Sequence, residues 1–289
     1  MSRILCCGIV ALDIINLVSH YPAEDEELRA SGQERRSGGN AANTAQVLGQ
    51  LGHEVGLIAT VANDQNGDFL LQKLTASGID TSACPRLPGS TPTSYITLNR
   101  QNGSRTIIHY RQLDELTAEQ FPAIPPRQYD WLHFEGRNVP QLIRILKGLH
   151  QAGKPCPLSL EAEKPRKGIE SLFALVDVIM FSRDFAVQAG FSDAQGFLAH
   201  QQQRTPGKLL TCTWDSAGVW HCNGDGPLIH TPAISGIEVI DTIGAGDTFN
   251  AGLIHACLQH DSPGQAVAHA NRLAAAKIGQ QGFDDLLQP

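Results

Sequence analysis

Val239-Ile240-Asp241-Thr242-Ile243-Gly244-Ala245-Gly246-Asp247-Thr248-Phe249-Asn250-Ala251-Gly252 passes from a β-branched run through a Gly-Ala-Gly turn into a helix. Small residues let a ligand approach the backbone closely. The first-turn N–H groups of a helix, unpaired and at the positive end of its dipole, form an anion hole. An Asp in that turn can face a hydroxyl about to attack a phosphoryl group; alternatively, Asp247 is only a favourable acid at a helix start. A dinucleotide-binding G-x-G-x-x-G reading is disfavoured, because Phe249 stands where the third Gly belongs.

Outward from this turn, short apolar runs alternate with helical patterns. Buried strands are expected at Ile4–Val10, Val55–Val61, Trp131–Phe134, Leu158–Leu160, Val176–Phe181 and Lys208–Trp214. Helices are expected near Asn40–Leu51, Gly67–Ser77, Pro140–Gln151, Asp193–Gln203, Asp247–Gln259 and Ala266–Gly279. Such alternation predicts an α/β fold, a parallel sheet covered by helices on both faces. Residues 14–36 and 91–111 break the rhythm and read as short strands, with Asn102-Gly103 a hairpin turn between Thr93–Asn99 and Arg105–Arg111. These two stretches form a small β-sheet inserted into a main domain of residues 1–13, 37–90 and 112–289.

The 289 residues are 42% hydrophobic and 18% charged, the balance of a globular protein, and no apolar run is long enough to span a membrane. The start, MSRILCCGIV, reads as a buried strand rather than a signal peptide. Seven Cys without CxxC spacing fit reduced thiols in a cytoplasmic protein. A net charge of −7 without basic clusters argues against a nucleic-acid surface, so an anionic ligand must be held locally.

Ser37-Gly38-Gly39-Asn40-Ala41-Ala42-Asn43-Thr44-Ala45 is a second informative segment. Asn40 and Asn43 are three apart and share a face at a helix start, where paired amides suit sugar hydroxyls; a simple Asn N-cap is the alternative. Together, and in this order about 200 residues apart, the two segments resemble the signatures of the ribokinase-like carbohydrate kinase family. The resemblance runs nearly end to end and is greatest to the branch that phosphorylates ketohexoses. It includes Leu12-Asp13, Tyr21-Pro22, Glu24-Asp25, Trp131–Asn138, Glu161–Arg166 and Gly279–Asp284.

The resemblance implies a Rossmann-like three-layer α/β/α domain with a β-sheet lid, through which two subunits form a homodimer. It implies an ATP-dependent kinase using Mg²⁺, with room for a monovalent cation, and phosphorylating a ketohexose, fructose at its 1-hydroxyl. The alternatives are a kinase of ribose, a ketose derivative or a nucleoside, or a silent sugar sensor. Carried over by position, Asp13, Asp25, Gly39, Asn40 and Asn43 hold the sugar, with Glu135 a further contact. Asp247 is the base, Gly244, Ala245 and Gly246 the anion hole. Arg105 reaches the nucleotide phosphates, and Asp215, Ser216, Ala217 and Gly218 border the adenosine.

Several of these residues also have plainer readings. Asp13 could be a turn residue, Glu24–Glu27 a solvated acidic loop and Arg105 a hairpin decoration. Many relatives carry Asn-x-x-Glu to order Mg²⁺; Ser182-Arg183-Asp184-Phe185 stands there instead. Glu161 and Glu163, two apart at a strand end, are candidate substitutes, or else surface carboxylates near Lys164. Gly148–Pro155 imitates a P-loop but closes a helix rather than opening one. The 11 His include no HExxH, and Cys212 and Cys222 could meet across a hairpin.

Overall fold

The computed structural model describes residues 1–125, 128–283 and 286; Asp284, last of the terminal stretch quoted above, lies outside the described residues. The chain opens with β1 (Arg3–Cys7), β2 (Ala11–Val18), β3 (Gly32–Gly38), α1 (Asn40–Gln50), β4 (Glu54–Ile58), β5 (Val61–Ala62) and α2 (Gln65–Ala76). Next come β6 (Arg86–Leu87), β7 (Thr93–Asn99), β8 (Arg105–Tyr110), β9 (Trp131–Glu135), α3 (Val139–Gln151), β10 (Leu158–Ala162) and α4 (Glu170–Phe173). The remainder is β11 (Val178–Phe181), α5 (Arg183–Gln188), α6 (Ala194–Arg204), β12 (Leu209–Thr213), β13 (Val219–Asn223), β14 (Ile229–Thr231), α7 (Ala245–Leu258) and α8 (Pro263–Ile278).

Eight strands form one sheet in the order β14-β13-β12-β11-β10-β9-β1-β4. From β4 to β12 all neighbours are parallel, and β13 and β14 close one edge antiparallel. Every residue of β9 and β10 is buried, as a strand between two helical layers requires. Side chains alternate across β1: Ile4 and Cys6 pack with α1, α7 and α8, whereas Leu5 and Cys7 pack with α3, α5 and α6. This split gives the three layers of an α/β/α fold. The β13–β14 hairpin and α5 were not anticipated: β13 is Val-Trp-His-Cys-Asn, too short and too polar to stand out. Its pairing sets Leu210 opposite Cys222 and Trp220 opposite Cys212, so the two cysteines are offset by two residues, and both are free thiols.

A second sheet has the order β3-β2-β7-β8. The hairpin β7–β8 closes through Asn102 and Gly103, with Gly103 at φ 68°, a left-handed conformation that glycine adopts without strain. Inner residues Ile15, Ile96 and Leu98 pack on Ile243, so this sheet rests on the turn that leads into α7. One expectation is corrected here. The strand expected at Ile4–Val10 is shorter: β1 stops at Cys7, and Asp13 lies inside β2 rather than in a turn. The chain leaves the large sheet at Gly8, where a Cβ would come within 2.5 Å of the Glu135 carboxylate.

The P-loop imitation closes α3: Gly153 turns at φ 95°, and the Lys154 ammonium pairs with Asp177 at 2.5 Å. Among the described residues, no helix is long and apolar enough to cross a membrane.

Candidate active site

Two helix N-termini meet at the carboxyl edge of the large sheet, where open α/β sheets bind ligands. Gly39 precedes α1 at φ 101°, and a Cβ there would lie 2.5 Å from the Ile9 carbonyl oxygen. Only glycine allows the chain to cross β1's exit so closely. The Asn43 Nδ2 of α1 donates to Oδ2 of Asp247 at 2.7 Å, and the Thr44 hydroxyl donates to the Asp247 carbonyl at 3.4 Å. One turn earlier, Asn40 Nδ2 donates to Glu161 Oε1 at 3.1 Å. The two amides do share a face, and each holds a carboxylate.

Glu135 ends β9 and Glu161 sits opposite it on β10. Oε2 of Glu135 accepts the Ile9 N–H at 3.0 Å. Among the described residues, Asn43 Oδ1, Glu135 Oε1 and Glu161 Oε2 are buried without a hydrogen bond, and Glu135 Oε1 lies 3.7 Å from Nη1 of Arg137, an ion pair. Burial pushes the Asp247 carboxyl up to about 7; the Asn43 bond works against this, while the charges of Glu135, Glu163 and Asp13 add to it. Burial likewise raises Glu135 to about 7 and Asp13 to about 6, the latter opposed by its bond to Ser94 and by Arg36. Glu161 is raised well above the usual carboxylate range by burial, then by Asp247 and Glu135. The charges of Glu135, Glu163 and Asp247 thus raise the carboxyls around them, and Arg137 opposes this at Glu135.

Gly244 turns at φ 79° to start α7, and Asp247 lies in the helix's first turn. A Cβ on Gly244 would strike the Phe283 ring at 2.1 Å, whereas one on Gly246 would meet nothing within 4 Å. Gly246 therefore faces open space beside unpaired first-turn N–H groups, a cradle fitted to an anion. Arg105, at the start of β8, donates from Nη1 to the Thr242 hydroxyl at 2.6 Å and so flanks this turn. Arg36 of β3 pairs with Asp241 at 2.7 Å and with Glu34.

Other candidates stand apart. Asp25 is exposed on the loop between β2 and β3, at φ 61°. Asp215, Ser216 and Ala217 form a 3-10 turn after β12, and Gly218 at φ 93° lets the chain pass the Thr231 carbonyl. Asp215 is held by Arg183 at 2.5 Å, and Arg183 lies 5.8 Å from the Trp214 ring. This turn is on the same sheet edge, farther along from the Asp247 cluster. β10 ends at Ala162, so strand alternation does not extend from Glu161 to Glu163; Glu163 is part-buried beside Lys164, and its charge reaches Glu161, Glu135 and Asp247. No group of three or more His, Cys, Asp or Glu suited to a metal occurs among the described residues. Ser182, in place of the missing Asn, instead caps α5 by accepting the Phe185 N–H at 2.9 Å. Sequence reasoning missed Asp241, Arg36 and Lys277; Lys277 is one basic residue in a helix, with nothing in its spacing to mark it.

A buried acid at the head of a helix, next to an open glycine cradle on an α/β/α sheet edge, is an arrangement suited to phosphoryl transfer, and the fold is that of the ribokinase-like kinases. Residues 1–288 match the pfkB family of carbohydrate kinases, and the chain belongs to that family. It is 37% identical to the ketohexokinase of Mus musculus over 295 aligned positions, covering 99% of each chain. It is 25% identical to an ATP-dependent ribose-1-phosphate kinase of Halopiger xanaduensis, over 98% of this chain and 94% of that one. The crystal structure of a Cryptococcus neoformans ribokinase with ADP superposes with a TM-score of 0.79, at 17% identity over 99% of this chain and 97% of that one, a shared fold.

Proposed function

We propose that this kinase phosphorylates a ketohexose from ATP, with fructose attacked through its 1-hydroxyl. The observation that carries a polyol substrate is the set of buried acceptors without a hydrogen bond at Asn43 and Glu161, with Glu135 Oε1 beside them held only by the 3.7 Å ion pair to Arg137. Buried acceptors are costly unless donors arrive, and hydroxyls are donors. Support for the ketohexose comes from the end-to-end similarity to ketohexokinase.

In this reading Asp13, Asn40, Asn43 and Glu135 pair with the sugar hydroxyls, and Asp25 joins them from its loop. Asn43 fixes one oxygen of Asp247, leaving the other for the proton of the reacting hydroxyl. A carboxylate suffices as base, because in a loose phosphoryl-transfer transition state the nucleophile is deprotonated late. N–H groups of Gly244–Asp247 and the Arg105 guanidinium meet the phosphate charge, and the turn Asp215–Gly218 borders the adenosine. The unpaired Glu161 oxygen is a hard donor fitted to Mg²⁺ alongside nucleotide oxygens. Such an ion supplies neutralisation of phosphate charge.

The second sheet serves as a lid that excludes water. Its edge strand β8 is exposed at all six positions, with Ile108 69% exposed beside Ile107, Tyr110 and Tyr95. An open apolar edge of this kind invites a second copy, which supports a lid-to-lid homodimer. Seven free thiols support a cytoplasmic setting.

ADP release with fructose, ribose, ribose 1-phosphate and adenosine tests the substrate, and phosphorus NMR of the product tests the hydroxyl. Fructose is expected to exceed ribose at least tenfold in kcat/KM, about 1.4 kcal/mol of transition-state discrimination. A 6-phosphate product or a preference for ribose would refute the ketohexose assignment.

A further inference from the structure

Lys277 lies near the end of α8 with its side chain wholly buried, a rare place for an ammonium group. Its Nζ donates to the Asp241 carbonyl at 3.1 Å and lies 3.4 Å from Oδ2 of the same residue, with the Phe283 ring centroid 5.4 Å away. The Asp241 carboxylate is equally buried. Oδ2 also accepts Arg36 Nη1 at 2.7 Å and the Gly282 N–H at 3.0 Å, while Oδ1 accepts the Ile243 N–H at 2.9 Å. Donors from β3, α8, the C-terminal segment and the turn itself converge on one residue, three positions ahead of Gly244. Burial lowers the Lys277 pKa and the Asp241 charge opposes that; Asp241 itself is held low, chiefly by Lys277.

Buried ion pairs often add little net stability over apolar residues of the same volume, although removing Lys277 alone leaves the buried Asp241 with Arg36 as its remaining cation. What a buried pair can supply is one fixed arrangement. We infer that Lys277 is a positioning residue: by holding Asp241 it sets the turn Ile243–Gly246 for phosphate and ties that turn to Arg36 of the second sheet. Thr242, next in the chain, is gripped by Arg105 from the same sheet, so the turn and the sheet are linked at two consecutive residues. Phosphate contact and sheet placement are then coupled through a side chain that touches neither substrate.

This inference rests on the kinase reading, and the test separates the two. Lys277→Met, Arg36→Met and the double variant are compared for ADP binding and sugar binding by calorimetry, for kcat, and for melting temperature. Lys277→Met is expected to weaken ADP at least tenfold and lower kcat at least thirtyfold, with sugar affinity within threefold of wild type. The double variant is expected to bind ADP no more than threefold worse than Lys277→Met, because both side chains act on one carboxylate. ADP affinity and kcat within threefold of wild type in Lys277→Met would overturn the inference. So would an equal loss of sugar and ADP affinity, the mark of general loosening. If Lys277→Met does not fold, Arg36→Met carries the test, and unchanged ADP affinity there overturns it. A wild type that binds no nucleotide sinks the kinase reading itself, and the inference with it.

Discussion

Asn43 and Asp247, 204 residues apart in sequence, are joined by a buried hydrogen bond of 2.7 Å between the first turns of α1 and α7. The amide can only donate from Nδ2, so it favours the charged carboxylate and opposes the burial that would keep it protonated. The contact therefore orients Asp247 and sets how readily it takes a proton near neutral pH.

Asp247→Asn removes the base while keeping the shape. The expected result is a fall in kcat of about 10²–10⁴, the usual worth of a general base, with sugar and ATP affinities within a few-fold. Steady-state kinetics and calorimetry together check it; retention of more than about a tenth of the wild-type kcat would remove Asp247 from that role.

Asn43→Ala strips the opposing donor. The acid limb of the kcat/KM profile is expected to move to higher pH, and the KM for sugar to rise by the equivalent of about 1–3 kcal/mol for a stranded buried partner. An unmoved acid limb would show that the amide does not tune the base.

What the sequence showed of this site follows from periodicity. Spacing placed Asn40 and Asn43 on one helical face, and glycine pattern placed Asp247 at a helix start. Spacing says which face a residue occupies and nothing of the partner across the chain. Hence the bonds Asn40–Glu161, Asn43–Asp247 and Lys277–Asp241 were not legible. The break between β1 and β2 was hidden because Ile4–Leu12 is apolar apart from Gly8, and burial on both faces leaves no alternation to read. The end of β10 at Ala162 was hidden for the opposite reason: Leu158-Ser159-Leu160-Glu161-Ala162-Glu163 alternates apolar and polar one residue past the strand.

Without ligand, the buried site carboxylates are expected to withdraw stability as pH rises from about 4 to about 7. Burial pushes the Asp247 and Glu135 carboxyls up to about 7 in the folded chain, against 3.8 and 4.5 for the free side chains. Between those limits the folded state holds more protons at these two groups, so raising pH favours unfolding, and the stabilisation present below the unfolded values is lost through the folded ones. Carboxylates held low, such as Asp64, Glu115 and Asp241, act oppositely below the ordinary carboxylate range, and His53 and His133, which burial pushes down from 6.5 to about 4, act oppositely within the window. Melting curves of wild type and Asp247→Asn between pH 5 and 8 isolate the carboxylate: the variant is expected to gain on wild type as pH rises. A difference between the two that does not grow with pH would contradict the assignment.

Gly244 and Gly246 are two residues apart in one turn, yet their replacement by alanine should fail for different reasons. At Gly244 the backbone is left-handed and the added carbon would sit 2.1 Å from the Phe283 ring. Left-handed strain in a non-glycine residue costs about 1–3 kcal/mol, and displacement of a packed ring adds to it. Gly244→Ala should therefore lower the melting temperature by several degrees, at about 2–4 °C per kcal/mol for a chain approaching this size. At Gly246 the added carbon meets nothing within 4 Å and the position carries no left-handed strain. Gly246→Ala should melt within about 2 °C of wild type while its KM for ATP rises at least about tenfold, because the methyl group stands where phosphate oxygens approach the first-turn N–H groups. Thermal melts and ATP titrations at saturating sugar distinguish the two outcomes. Unchanged ATP affinity in Gly246→Ala would mean that the nucleotide does not use this cradle, whatever the fate of Gly244→Ala.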